Sequence, residues 1–515
     1  MGSAVYRPIA KVEKQIMIFL RRILFGDLFL LLLIAAGPAM AADEVTDRAL
    51  KLYEKHHYEE AAHLLRPELA AMDTSRQAAA SLALGMIYLG SARLYRELQQ
   101  TALVIELDYL RQLSKQKSGS ASRYVDFYLG QALVEAGKPA EGVTCLRRFA
   151  DQAGTKSPMK PFSDIELGIA YSRQKQALKA EQIWSGQDST IPEMRAALAG
   201  AYAVTGALQH KPAAMADTAT LEVKKLGVTP SKRMNRNLLR AYSQSGATGQ
   251  ALDLLGVNEF KDASSVEDLG SSKTINFYDM SLLDDMATTH LNAAVMYLEQ
   301  ANNDPKLSGS ANYYLAEAYF RQGKPELSLQ AAANFLKQVQ LPAQYREVAR
   351  IYQAAAYNRT GQKAESNAIW QSLLEKSAAD PALLAALLHT CVMAKVDCEK
   401  TEKQSLAAVE SGEGKKFFSL NAALGKYYLL QKDYTSALLF MEAGRDKAYK
   451  NKIEVNDPVM LVGLAEAYYR NKKFSETLEI YFEIGKQYPV VRQIQEAMQG
   501  IYSMEQQSAG EVKIF

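Results

Sequence analysis

Cysteine is scarce: Cys145, Cys391 and Cys398 are the three thiols in 515 residues. So few exclude a disulfide-stapled scaffold, and the C-x6-C spacing of the last two is a poor one for a metal. In an oxidising compartment Cys391 and Cys398 could close a short disulfide across a helix end; two buried free thiols are the alternative, and Cys145 is single either way. Tryptophan occurs twice, as Trp184 and Trp370, against 28 tyrosines. Charge of one sign is missing too. Arg7, Lys11, Lys14, Arg21 and Arg22 against Glu13 and Asp27 give the first 41 residues a balance of +3, equal to the whole chain, so the remainder is close to neutral. A neutral body has no global field with which to gather nucleic acid or anionic lipid.

The nucleotide loop G-x4-G-K-[ST], the dinucleotide fingerprint G-x-G-x-x-G and the zinc-protease H-E-x-x-H are absent. Ser157 with Lys160, and Ser172 with Lys175, match S-x-x-K, but the K-T-G and S-D-N companions of a penicillin-type nucleophile are missing. No convincing strand alternation is found. What is present is helix-forming: 48% hydrophobic and 23% charged residues, with runs such as AAASLALG and LSLQAAANFL.

The first residues read as an export signal. Arg21 and Arg22 precede the apolar run Leu28 to Ala36, then Pro38 and the small-residue site Ala39-Met40-Ala41, with cleavage expected after Ala41 and a more ordinary signal starting at Met17. An uncleaved inner-membrane anchor over Ile23 to Ala41 is the competing reading, though Asp27 and Pro38 leave it short of the apolar length of about 20 residues that spanning requires.

From there the chain repeats itself. LAEAYFRQGK at 315–324 returns as LAEAYYRNKK at 464–473. Related phrases begin at Leu129-Gly130, Leu167-Gly168 (to Tyr171 and Trp184), Leu238 (to Tyr242), Gln353-Ala354 (to Tyr357 and Trp370) and Leu424-Gly425 (to Tyr428), and the later copy runs on to Tyr468 and Pro489. Small residues recur 38 apart (130 to 168, and 316 to 354) and 40 apart (425 to 465), with a divergent copy around 379–412. A small residue lets a partner helix approach, and the Tyr or Leu three later fills the layer beneath. Gly137, Gly246, Gly323 and Gly361 stand where first helices should end with positive φ. This pattern resembles the tetratricopeptide repeat (TPR) family. The resemblance implies an all-α solenoid of about ten to twelve antiparallel helix hairpins, non-catalytic and without cofactor or metal. Its structural core would include Gly130, Gly168, Tyr171, Tyr242, Tyr319, Tyr357, Gly425, Tyr428 and Tyr468, with Trp184 and Trp370 packed inside. Hairpins are also expected at 45–68, 78–113 and 194–226.

The expected organisation is a signal at 1–41, an N-terminal array at 42–257, a polar loop or bend at 258–274, a C-terminal array at 275–490 and a capping helix with tail at 491–515. Among chemistry-bearing clusters, His56, Glu60 and His63 of HHYEEAAH would share a face on a continuous helix, but the repeat phase puts His56 and His57 in a turn. Two residues beyond the core Tyr stands an Arg in four copies: Arg173, Arg321, Arg359 and Arg470. In the resembled family that position faces the concave groove. A partner-binding ladder of these arginines, with Tyr313, Phe320 and Tyr469 beside it, would suit acidic peptides, carboxylates or phosphates. Helix-surface pairing of Arg321 with Glu317 and of Arg470 with Glu466 is the plainer explanation. The Asn that family members use to clamp a terminal carboxylate is replaced by Ile169, Glu317, Ala355 and Glu466.

The resulting expectation is a periplasmic or otherwise exported scaffold or assembly factor of the bacterial cell envelope, holding a protein or peptide partner. It would take no nucleic acid and would meet a membrane only through an uncleaved N-terminus. The alternatives are a membrane-anchored structural subunit of an export or secretion complex and, more remotely, a peptidoglycan-acting enzyme on an α-superhelical support. N-terminal sequencing of the exported protein should read Ala42-Asp43-Glu44; an intact N-terminus would establish the anchor instead.

Overall fold

The computed structural model describes residues 44–115, 121–154, 157–257, 263–267, 274–278, 280–338, 343–378, 380–411, 418–450 and 457–508. The expected signal and its cleavage site lie outside the described residues. Packing divides the chain into two compact units, one of residues up to 91 together with 294–473, the other of 92–293 together with the residues from 474 onward. This differs from the expected division into halves at 258–274.

In the second unit four hairpins follow one another: α4 (Ala121–Glu135) with α5 (Pro139–Ala153), α6 (Lys160–Arg173) with α7 (Ala177–Ser185), α8 (Pro192–Val204) with α9 (Pro212–Leu226), and α10 (Lys232–Ser245) with α11 (Thr248–Val257). Each first helix packs on its own partner and on the next first helix, so α4, α6, α8 and α10 form an inner row. In the first unit the same rule orders α13 (Ser308–Arg321), α15 (Ala343–Arg359), α17 (Pro381–Ala394), α19 (Phe418–Leu430) and α21 (Pro458–Arg470). Their second helices are α14 (Pro325–Leu336), α16 (Lys363–Ser377), α18 (Glu399–Glu410) and α20 (Tyr434–Lys450). A short hairpin, α1 (Glu44–Glu54) with α2 (Tyr58–Leu65), belongs to this unit as well.

Why these hairpins close is visible at the small residues. A Cβ on Gly130 would stand 2.7 Å from Leu146 Cγ, and one on Gly168 or Gly425 would collide with Trp184 or Met441. The large side chain of the second helix thus sits directly on the bare backbone of the first. Trp184 is 3% exposed and its Nε1 donates to Ile165 O at 3.1 Å. Tyr171, Tyr242, Tyr319 and Tyr468 are buried beside these crossings, while Tyr357 and Tyr428 are half-buried. Turn chemistry follows the repeat too: Gly246 ends α10 at φ 77°, yet Lys175, Lys432 and Lys472 take the same left-handed conformation in other copies. Cys391 and Cys398, with Cα atoms 5.8 Å apart, are joined as a disulfide from the end of α17 to the start of α18.

Two expectations need correction. Residues 78–113 form no hairpin: they lie inside one helix, α3 (Thr74–Lys115), of 42 residues. Its glycines serve close approach, not termination, since a Cβ on Gly90 would meet the Tyr58 ring at 2.7 Å. In the first unit α3 meets α12 (Ser281–Asn302); Ser81 Oγ donates to Gln300 Oε1, 219 residues away, and Tyr88 stacks on Tyr297 at 5.7 Å. Within the second unit Tyr95 meets His290 and Tyr488. Second, the segment 258–274 expected to be a polar loop or bend contains β1 (Ala263–Glu267), which pairs antiparallel with β2 (Thr274–Tyr278) at and beyond its end. The C-terminal helix α23 (Arg492–Ser508) packs on the preceding α22 (Phe474–Gly485). Its Gly500 lies against the Tyr109 ring of α3, within the same unit.

Gly168→Ala should overpack the α6–α7 crossing and cost about 2 kcal/mol. A lowered thermal midpoint with altered tryptophan fluorescence would register it, and an unchanged midpoint would contradict the crossing geometry.

Candidate ligand groove

The inner row of the second unit carries a cavity of about 200 Å³. Phe127, Tyr128 and Gln131 come from α4; Phe162, Ile165, Glu166 and Ile169 from α6; Ala197 from α8. From α10 come Lys232, Arg233, Arg236, Asn237 and Arg240, and from β2 comes Phe277. Arg233, Arg236 and Arg240 are spaced i, i+3, i+7, so one helix face carries all three guanidinium groups while Leu238 and Leu239 face the core. Four cations and one carboxylate therefore line a cleft with four aromatic rings.

Arg240 anchors the floor, its side chain 9% exposed. It lies 3.4 Å from Glu166 Oε1, 3.6 Å from Glu135 Oε1 and 3.7 Å from Asp285 Oδ2, and Nη2 donates to Ser281 Oγ at 2.8 Å. A guanidinium with this many acceptors is held in one place, which offsets part of its desolvation. Asp285 is pushed up to about 6 by burial, against the opposing pull of Arg240 and despite amide donation from Gln244 Nε2 at 3.0 Å. Nearer the opening, Arg233 stacks over the Phe162 ring at 4.4 Å and Arg236 Nη2 donates to Ser281 Oγ at 2.7 Å. Such an arrangement can take an aromatic side chain on the rings and an anionic group on the arginines.

The arginines picked out by recurrence do not form one ladder. Arg173 is exposed and sits in the second unit; Arg321, Arg359 and Arg470 are in the first. Arg321 Nε donates to Glu317 at 2.6 Å and Arg470 lies 3.6 Å from Glu466, which is the plainer pairing. Arg359 donates to Phe320 O at 2.7 Å and lies 3.7 Å above that ring; burial, then Arg321, pulls its guanidinium below the usual value. Phe320 is fully buried and Tyr469 nearly so, whereas Tyr313 is half-buried against Phe335 and Tyr345. The histidine cluster is dispersed as the repeat phase requires: His56 sits in the turn at φ 61° with Nδ1 on Tyr58 Oη, and His57 faces Glu60 at 3.0 Å. Among the described residues no group of three or more His, Cys, Asp and Glu could hold a metal, and no helix is long and apolar enough to cross a membrane. Sequence reasoning missed the α10 stripe. The signal was there in SKRMNRNLLR, four cations in one helical stretch, but it occurs in a single copy.

No family model and no curated protein matches the sequence. Among solved structures, yeast Tom70 is similar at 11% identity and a TM-score of 0.32, covering 90% of this chain and 96% of that one. The APC/C hetero-tetramer Cut9-Hcn1 is similar at 14% and 0.26, covering 88% and 97%, and the P58(IPK) TPR domain at 12% and 0.17, covering 75% and 99%. Similarity this low carries nothing about how the present chain works.

Burial raises Asp285 from its ordinary 3.8 to about 6 in the folded chain, so between those values the native state keeps a proton that the unfolded chain releases, and this carboxylate costs stability as the pH rises through that window. Asp285→Asn removes that dependence. The thermal midpoint of the variant minus that of wild type should therefore shift in the variant's favour between pH 5 and pH 8; a flat difference would contradict the raised pKa. In its stacked hairpins and in the residues at their crossings, each of the two units is built as an α-solenoid array of antiparallel helix pairs.

Proposed function

We propose that the chain is a non-catalytic scaffold that holds an extended segment of a partner protein in the groove of the second unit. The observation that carries this reading is the lining: Lys232, Arg233, Arg236 and Arg240 with a single carboxylate, Glu166, beside Phe127, Tyr128, Phe162 and Phe277. Rings supply buried area and planar arginines supply directed bonds to carboxylates, the pairing that dominates protein-recognition hot spots. An acidic segment with an aromatic anchor fits this chemistry.

Export to the periplasm or cell envelope is part of the proposal. The Arg21-Arg22 and Leu28-to-Ala41 pattern supports it, and so does the Cys391–Cys398 bond, which suits an oxidising compartment. The apolar run from Ile23 favours a second reading, in which the same scaffold stays anchored and serves as a structural subunit of an envelope complex.

The groove is tested with a fluorescein-labelled DEFYDEDE peptide and the full chain, read by anisotropy. Lys232→Glu with Arg233→Glu should weaken binding at least about tenfold, some 1.4 kcal/mol, with helicity unchanged by circular dichroism. Equal binding by variant and wild type would overturn the groove assignment.

A further inference from the structure

The groove already has an occupant. Phe277 of β2 is 1% exposed, and its ring lies parallel to Tyr128, with centroids 4.5 Å apart and planes 12° apart. Four residues later, Ser281 Oγ accepts from Arg236 Nη2 at 2.7 Å and from Arg240 Nη2 at 2.8 Å. A single stretch of chain thus places an aromatic ring on the ring platform and an oxygen on the arginine pair. Those are the two features just assigned to a partner segment.

We propose that Phe277 and Ser281 are an internal placeholder in the groove, and that its true ligand is a partner segment carrying an aromatic residue followed, four positions on, by Asp or Glu. This inference rests on the groove reading above. The placeholder is built to lose. Ser281 offers the arginines a neutral hydroxyl, whereas a carboxylate in the same place would accept charge-assisted bonds roughly twice as strong. Phe277 is carried by a two-stranded ribbon, and an isolated ribbon of that kind is only marginally stable, whereas Ser281 is the first residue of α12. Displacing Phe277 exposes one aromatic side chain, and a ligand carboxylate beside Arg236 adds an anionic acceptor where Ser281 supplies a neutral one, so a ligand with both features gains more than a ligand with either alone. An empty groove of this composition would otherwise show aromatic rings and guanidinium groups to any passing acidic chain; the placeholder therefore sets a threshold of specificity as well as keeping the rings covered.

The probe is a fluorescein-labelled peptide of residues 274–285 with Asp in place of Ser281, TINFYDMDLLDD, titrated against the full chain by anisotropy. Phe277→Ala should bind it at least about tenfold more tightly than wild type, and Ser281→Asp, which strengthens the internal contact, should bind it more weakly than wild type. The same peptide with Ala in place of Phe277 should bind none of the three. Because Phe277→Ala removes a buried ring, circular dichroism accompanies each titration, and Ser281→Asp supplies a second arm that leaves the ring intact. Equal affinity across wild type and both variants, with binding still lost in Lys232→Glu/Arg233→Glu, would overturn the placeholder while leaving the groove in place. Absence of binding to every form would remove both.

Discussion

The structure depends on one repeated contact: a large side chain of a second helix lying on the bare backbone of a first. Trp184 on Gly168, Leu146 on Gly130 and Met441 on Gly425 are the same contact made with different side chains. Each hairpin closes tightly there, but a two-helix layer leaves its other apolar side open, and only the next hairpin can cover it. Stacking in sequence order follows, and with it an inner row of first helices. The groove of the second unit is what that row presents: residues one turn apart on α4, α6, α8 and α10 are brought side by side because the crossings fix the distance between those helices.

The site then inherits its rigidity from packing that has nothing to do with binding. Arg236 and Arg240 reach the groove from a helix whose Leu238, Leu239 and Tyr242 are locked in the core. Arg240 is held further by three carboxylates, and Asp285 is buried deeply enough that desolvation outweighs its attraction to that arginine. A buried cation surrounded in this way is costly to assemble and contributes little net stability. Its effect is geometric, since the guanidinium plane is fixed before any ligand arrives.

Much of the hairpin pattern was legible because it recurs. Leu-Gly-x-x-Tyr at 129–133 departs from the pattern at its last position, yet the phase was recovered from its neighbours. Recurrence also misled. Gly85 and Gly90 look like the small residues of a hairpin but lie within the 42 residues of α3, where they admit partners from elsewhere in the chain. The partner contact at Gln300 is 219 residues away, and no local pattern announces it. For the site, the four arginines that repeat proved to be in different units or already paired, whereas the useful arginines stand on one helix only. A feature present in a single copy is invisible to a search for repetition, and the meeting of Tyr128 with Phe277 exists only once the ribbon is folded.

The core tyrosines do more than fill a layer. Tyr242 donates its hydroxyl to Asp217 at 3.0 Å, Tyr319 to Glu299 at 2.5 Å and Tyr428 to Glu402 at 2.7 Å, in each case a carboxylate on the helix just before. Burial raises the Tyr242 phenol to about 12 and pushes those of Tyr319 and Tyr428 upward too, so all three stay protonated donors across the physiological range. Stacked repeats usually communicate through apolar faces that can slide or fray one at a time. A polar rivet at each of these three junctions penalises a hairpin that loosens without its predecessor, so the repeats they join should come apart together, with no progressive peeling across those junctions.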